Sequence, residues 1–357
     1  MTIVFRCEFG PDYGLGHLMR IISLSQAFAQ RGKCKQILLT NSDAAYFKSL
    51  LETASFTVIN FNHHVEGLAF DLREFVDTPK DAITVFDHYD VTAGQMKAYQ
   101  EAGNFLVAID DLGDREITAN VILNQNIGAE LIYQKKNLNI LYLLGLEYCL
   151  IRKQFNKTHR QLEEKDPTSI LLTLGGGDIT ERLSILLSAI KRVDQLLVNK
   201  IKLDVVLPKL PPNDLEKINH ITKAYQLISV NMIFDCYDLS DTMKKSKLAI
   251  SSCGSTVYEL ASVGVPVLGI AIADNQMPAA IKLEEFGIGR YVSRINDFDE
   301  ARFVELFFEL YHQTKEAGRK VPEKTLFDGK SSLRAADLMI KKAGSILNHD
   351  QLERERI

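Results

Sequence analysis

Residues 2–32 read TIVFRCEFGPDYGLGHLMRIISLSQAFAQRG. The opening TIVFRCEF, at 2–9, is apolar and β-branched enough to form a strand, and HLMRIISLSQAFAQRG, at 17–32, spaces its apolar residues for an amphipathic helix ending on Gly32. Between them runs a short Pro-containing loop that ends in Gly14-Leu15-Gly16-His17. A strand, a glycine-rich loop and a helix in that order begin a parallel sheet covered by helices. Outward from this unit the alternation continues, with strands predicted at Gln36–Thr40, Phe56–Phe61, Ala82–Asp87, Phe105–Asp110 and Val121–Asn124 and helices near 44–53, 69–76 and 91–102. Residues 1–150 therefore read as one Rossmann-like domain.

The stretch 151–168, IRKQFNKTHRQLEEKDPT, is polar, charged and closed by Pro167, as expected of an interdomain connection. A second α/β run follows. Strand patterns fall at 169–176, 202–208, 227–234, 247–253 and 265–272, and helix patterns at 179–198, 212–224, 255–263 and 276–286. This predicts a second Rossmann-like domain over 169–320, then a polar tail at 321–357 in which 331–347 regains a helical pattern. The sequence does not decide which domain receives that last helix.

Composition agrees with two globular domains: 357 residues, 46% hydrophobic and 25% charged. With 42 Lys+Arg against 46 Asp+Glu the net charge is −4, so nucleic acid is not an expected partner. The five cysteines, Cys7, Cys34, Cys149, Cys236 and Cys253, form no CxxC pair and are odd in number, which argues against a zinc site or a disulfide framework and for a reducing compartment. The start lacks a signal core, and no run approaches about 18 uninterrupted apolar residues. A cytoplasmic protein without an integral membrane segment is expected, and its oligomeric state is left open, a monomer included.

Chemistry concentrates where strands end. The Gly14–His17 loop offers free backbone N–H groups at a helix start, but Met19 stands where a dinucleotide fingerprint needs glycine. His17 is a candidate base for water or a hydroxyl, the bland alternative being a capping or packing histidine. Arg20, one turn on, meets either an anionic ligand or a surface ion-pair partner. Asp87-His88-Tyr89, Asp110-Asp111 and Asn124-Gln125-Asn126 each close a strand and should share the carboxyl edge with that loop. In the second half, Leu174-Gly175-Gly176-Gly177-Asp178 is a phosphate-compatible turn without the Walker lysine. The Gly254-Ser255-Thr256 loop adds hydroxyls, with Glu259 placed to accept a ribose, and Asn275-Gln276 ends a further strand. That layout suits a diphosphate-linked ligand in a cleft between the domains. Asp297-Phe298-Asp299 reads as a solvated turn; no metal or other cofactor is inferred.

Together these segments resemble the nucleotide-sugar hydrolases of pseudaminic acid biosynthesis and the related spore-coat polysaccharide proteins, over nearly the whole chain. The resemblance is carried by FRCEFGPDYGLGHLMR at 5–20, DHY at 87–89, IDD at 109–111, ILNQN at 122–126, LGLEYCLIRKQF at 144–155, LGGGD at 174–178, SSCGSTVYELASVGVP at 251–266, ADNQ at 273–276 and DGKSSLR at 328–334. It implies the two-domain GT-B fold of one glycosyltransferase superfamily. The activity implied is metal-free removal of UDP from a 2,4-diacetamido-2,4,6-trideoxy sugar by inverting water attack at the anomeric carbon. By the same resemblance His17 is the general base and Tyr89 lies near the sugar, while Ser255, Thr256, Glu259, Asn275 and Gln276 surround the nucleotide. Arg6, Gly14, Gly16, Arg20, Asp87, Asn124 and Asn126 complete the expected substrate side; Gly175, Gly176, Gly177, Asp178 and Gly254 complete the nucleotide side. Glu8, Asn120, Leu146 and Gln154 depart from the family pattern, which leaves room for a different sugar or an acceptor other than water. An inverting glycosyltransferase and a catalytically silent nucleotide-sugar binder are the alternatives.

Overall fold

The computed structural model describes residues 1–10, 13–60, 82–101, 103–134, 137–155, 165–175, 179–313 and 327–354, the last eight by backbone alone. The chain forms two compact units, Met1–Lys153 with Lys330–Ile357 and Gln154–Gly329. In the first, seven strands run β1 (Thr2–Cys7), β2 (Lys35–Thr40), β3 (Phe56–Asn60), β4 (Ile83–Asp87), β5 (Phe105–Ile109), β6 (Val121–Asn124) and β7 (Leu141–Leu144). Its helices are α1 (Gly16–Ala29), α2 (Lys48–Leu51), α3 (Ala93–Glu101) and α4 (Ala129–Ile132). All strand pairs are parallel, in the order β3-β2-β1-β4-β5-β6-β7. Strands β4 and β5 are buried along their whole length, which is why ITVFD and FLVAI carry hardly any polar alternation.

The second unit holds β8 (Ser169–Thr173), β9 (Ile201–Leu207), β10 (Ile228–Phe234), β11 (Leu248–Ser252), β12 (Val267–Ala271) and β13 (Gly289–Arg294). Between and after them come α5 (Thr180–Leu196), α6 (Pro212–Thr222), α7 (Ser240–Lys245), α8 (Thr256–Ser262), α9 (Met277–Ala280) and α10 (Glu300–His312). Its sheet is again parallel, ordered β10-β9-β8-β11-β12-β13. The core gathers Leu183, Leu186, Leu187, Ile190 and Val193 of α5 and Phe303, Leu306, Phe307 and Leu310 of α10 against the sheet. At the expected solvated turn 297–299, Asp297 and Asp299 are exposed but Phe298 packs against the core, and Asp299 also caps α10 by accepting the Arg302 N–H at 2.9 Å.

The last helix, α11 (Ser331–Arg354), belongs to the first unit. Ser332 Oγ lies 2.8 Å from Ser23 Oγ on α1 and accepts the Ile151 N–H at 3.0 Å, while Arg31 pairs with Asp337 at 2.6 Å. The helix expected at 69–76 and residues 156–164 of the connection lie outside the described residues. No helix among the described residues is long and apolar enough to cross a membrane.

Candidate active site

Each sheet has one place where the chain, having gone outward one way, returns to build the other way: between β1 and β4, and between β8 and β11. Loops at the carboxyl ends of those strands flank a crevice, the usual ligand position in open α/β sheets. In the first unit these are the loop from β1 into α1 and the turn after β4. Gly10 and Gly14 exchange two backbone hydrogen bonds, 3.1 and 2.7 Å, closing the loop, and Gly14 has φ +74°. Gly16 takes no such conformation, yet a Cβ built on either Gly14 or Gly16 would meet nothing within 4 Å. Among the described residues nothing packs where a side chain at position 16 would stand.

His17 follows Gly16 in the first turn of α1, its side chain 11% exposed. Its Nδ1 lies 2.7 Å from Asp87 Oδ1, a separation that requires a proton between them, so Nδ1–H donates and Nε2 is the nitrogen left to carry the lone pair of the corresponding tautomer. The Arg20 Nη2 also stands 2.9 Å from Nδ1, but it can only donate and is directed to Asp87. The Asp87 side chain is wholly buried and accepts from Arg20 Nε at 2.5 Å. Burial alone would push its carboxyl up, but Arg20 and His17 outweigh that and hold it well below the ordinary carboxylate range. Asp87, expected on the substrate side, is therefore the group that orients His17.

Arg20 is not on the surface. Its guanidinium is buried and bridges Asp87 to Asp111, reaching the two Asp111 oxygens at 2.9 and 2.7 Å. Asp111 also accepts from Asn126 Nδ2 at 3.1 Å and from the Tyr89 hydroxyl at 3.1 Å. Tyr89 is 38% exposed and stands edge-on to His17, ring centroids 5.1 Å apart. Burial and the Asp111 carboxylate both push the Tyr89 phenol up, so it remains a donor. The sequence marked Asp111 only as one of an acidic pair; its place as the hub linking Arg20, Tyr89 and Asn126 was not foreseen.

Asn124 is fully buried, its Oδ1 accepting the Asn126 N–H at 3.0 Å, and Gln125 turns inward to hold Leu150 N–H at 2.9 Å. Arg6 is buried and donates to Glu8. The Glu8 carboxylate also takes the Asn41 N–H at 2.9 Å, Ser42 Oγ at 2.7 Å and Thr40 Oγ1 at 3.0 Å, so it clamps the end of β1 to the turn after β2. Asn120 likewise accepts from Leu106 N–H at 2.8 Å and Gln100 Nε2 at 3.1 Å at the start of β5. The side chains of Glu8 and Asn120 are thus both engaged in contacts that tie strands and turns of the scaffold together. A cavity of about 620 Å³, lined by Gly113, Arg115, Ile122, Tyr133 and Tyr142, holds none of the expected site residues.

In the second unit Gly175 is exposed with φ +78°, and a Cβ there would lie 3.6 Å from Ser252 Oγ, so the loops after β8 and β11 are adjacent. Gly254 borders Gln276 Nε2, and the Gln276 amide oxygen accepts the Ile272 N–H at 3.0 Å, which fixes the NH2 group on the Gly254 side. Ser255 and Thr256 are half-buried, Asn275 is exposed, and Glu259 is buried one turn into α8. Gly176, Gly177 and Asp178 lie outside the described residues. No group of three or more His, Cys, Asp or Glu among the described residues could hold a metal ion.

Against solved structures, the chain aligns with a glycotransferase of kitacinnamycin at TM-score 0.64, with 14% identity over 96% of this chain and 99% of that one. It aligns with the UDP-GlcNAc 2-epimerase of Neisseria meningitidis at TM-score 0.62, with 14% identity over 96% and 100%. The fold is GT-B. No family model matches the chain. Among curated proteins it is 24% identical over 278 residues to an uncharacterized protein of Methanocaldococcus jannaschii, covering 75% of this chain but 55% of that protein. It is 25% identical over 285 residues to the spore coat polysaccharide biosynthesis protein SpsG of Bacillus subtilis, covering 78% and 80%. A third relative is the pseudaminic acid cytidylyltransferase and UDP-2,4-diacetamido-2,4,6-trideoxy-beta-L-altropyranose hydrolase of Helicobacter pylori, 26% identical over 173 residues. That match covers 48% of this chain and 30% of the bifunctional protein.

Proposed function

We propose that this protein hydrolyses a UDP-linked diacetamido-trideoxy sugar, with His17 as the general base. The observation that carries the reading is the His17–Asp87 hydrogen bond, 2.7 Å, which engages Nδ1 and leaves Nε2 as the ring nitrogen available to act as base. A base held by a buried carboxylate is the arrangement that activates a weak oxygen nucleophile. Nε2 takes a proton from water as its oxygen bonds to the anomeric carbon, and the bond from that carbon to the diphosphate oxygen breaks with its electron pair leaving on UDP. Tyr89 borders the sugar. Gly175, Gly254, Ser255, Thr256 and Gln276 supply backbone and side-chain donors to the departing diphosphate, and Glu259 and Asn275 the nucleotide's remaining polar groups. The pseudaminate-pathway and spore-coat names of two relatives support a nucleotide-sugar substrate in surface-polysaccharide synthesis.

The same base would serve an acceptor hydroxyl, and the glycotransferase likeness keeps transfer as the second reading. Purified protein, incubated with UDP- and CMP-sugars in oxygen-18 water with and without cell extract, separates them. Hydrolysis at the C–O bond leaves label on the free sugar's anomeric oxygen and none on UDP. Release only in the presence of extract indicates transfer, and tight binding without release indicates a silent binder. His17→Ala is expected to fold and bind UDP without turnover; UDP release at the wild-type rate sinks the base assignment.

A further inference from the structure

We propose that Arg115 is a positioning residue of this site, holding Tyr89 in the pose in which it borders His17. The segment after β5 begins with a turn closed by Asp110, whose Oδ2 accepts the Gly113 N–H at 3.1 Å. From that turn two side chains reach opposite ends of Tyr89. Asp111 accepts its hydroxyl at 3.1 Å, and Arg115 grips its main chain. Arg115 Nη1 donates to the carbonyl of Tyr89 and, at 3.3 Å, to that of Val91, while Nη2 donates to the carbonyl of His88 at 2.9 Å. Among the described residues Arg115 has no carboxylate partner, and its buried Nε has no acceptor. Its donors are therefore committed to the turn that carries Tyr89 and not to an ion pair. Tyr89 is 38% exposed, so its ring has little packing to hold it once the main chain is released. A planar fork spanning neighbouring carbonyls is a task a lysine's single ammonium performs poorly.

The kinetic part of this inference rests on the hydrolase reading; the structural part does not. In Arg115→Ala, kcat for UDP release is expected to fall by up to about 100-fold, the loss a misplacement near 1 Å can cause, with KM within about threefold. In a Tyr89→Ala background the same substitution should cost less than about threefold, because its effect passes through Tyr89. Retention of the full loss there overturns the proposal. Independently of any substrate, 3-fluorotyrosine labelling gives fluorine signals for the 12 tyrosines. The Tyr89 signal is identified by its disappearance in Tyr89→Phe. Arg115→Ala should shift or broaden that signal and leave the distant ones in place; an unmoved Tyr89 signal overturns the proposal. If the wild-type protein releases no UDP, the hydrolase reading fails alone, and the fluorine spectrum still decides on Arg115. Should Arg115→Ala not fold, Arg115→Lys is expected to shift or broaden the Tyr89 signal, and an unmoved signal there overturns the proposal.

Discussion

Replacing Asp87 by Asn keeps the volume and removes the charge that organises the site. The side chain is wholly buried and accepts from His17 and from two nitrogens of Arg20. An amide has one accepting end, so either orientation sets its NH2 against an N–H of Arg20. The orientation that places NH2 at the Oδ1 position also donates to His17 Nδ1 and moves the ring proton to Nε2, the nitrogen proposed as base. Breaking a buried charge pair costs about 3–5 kcal/mol. Here the low end is expected, about 3 kcal/mol, because Asp111 still lies 2.7 Å from Arg20. Loss of the correct tautomer in a histidine–carboxylate pair lowers kcat by about 10⁴ where geometry is kept. The combined expectation for Asp87→Asn is a clear loss of thermal stability, UDP binding retained below the melting temperature, and kcat lowered by about 10³-fold or more. Melting curves, calorimetric titration with UDP and steady-state UDP release measure the three. A folded variant that turns over within about tenfold of wild type refutes both the orienting role of Asp87 and the identity of the base.

Three further outcomes are expected. Gly16→Ala should leave the melting temperature unchanged or raise stability by up to about 1 kcal/mol, since alanine is the better helix residue and its Cβ meets nothing. It should nonetheless weaken substrate binding at least tenfold, and unchanged KM would show that no ligand uses that space. Glu8→Gln should lower the unfolding free energy by about 1–3 kcal/mol, read as a lower denaturant midpoint, because the backbone and hydroxyl donors at 40–42 lose a charged acceptor; an unmoved midpoint removes the clamp. Asp87 and Glu8 both have lowered pKa values, so their contribution to stability is present above the unfolded carboxylate range near pH 4 and is lost as pH falls through the depressed values. Denaturant midpoints should therefore fall steeply below about pH 4, and less steeply in Asp87→Asn.

Long, evenly apolar segments were legible because burial on both faces of a parallel sheet leaves no room for polar residues: β1, β4, β5, β8 and β11 all fall within their predicted ranges. The edge strands β7 and β13 were not foreseen. LYLL is four residues long, and GRYVSR carries arginine at two of six positions, as a strand with one open side permits. Helix α10 was missed although Phe303, Leu306, Phe307 and Leu310 recur at helical spacing, and its cap at Asp299 was read only as a turn. At the site, motif reading found which residues gather at the carboxyl edge but not which way they point. Asp87 and Tyr89, two apart, take opposite roles, one buried against His17 and one exposed beside it. Asp111 and Arg115 gave no separate signal because their partners, at positions 20, 89 and 126 and the carbonyls after β4, come from distant stretches of chain.

The return of α11 to the first unit has a consequence for synthesis. Gln154–Gly329 is an insertion within the unit that bears His17, and that unit stays incomplete until Ser331 and Ser332 have left the ribosome. Since domains generally fold as units during vectorial translation, the inserted block can finish first while the histidine-bearing sheet waits, its α1 face uncovered, for the last stretch of polypeptide to emerge. Any nascent chain arrested before that point carries a completed insert attached to an unfinished host, which makes this interval the natural one for chaperone engagement.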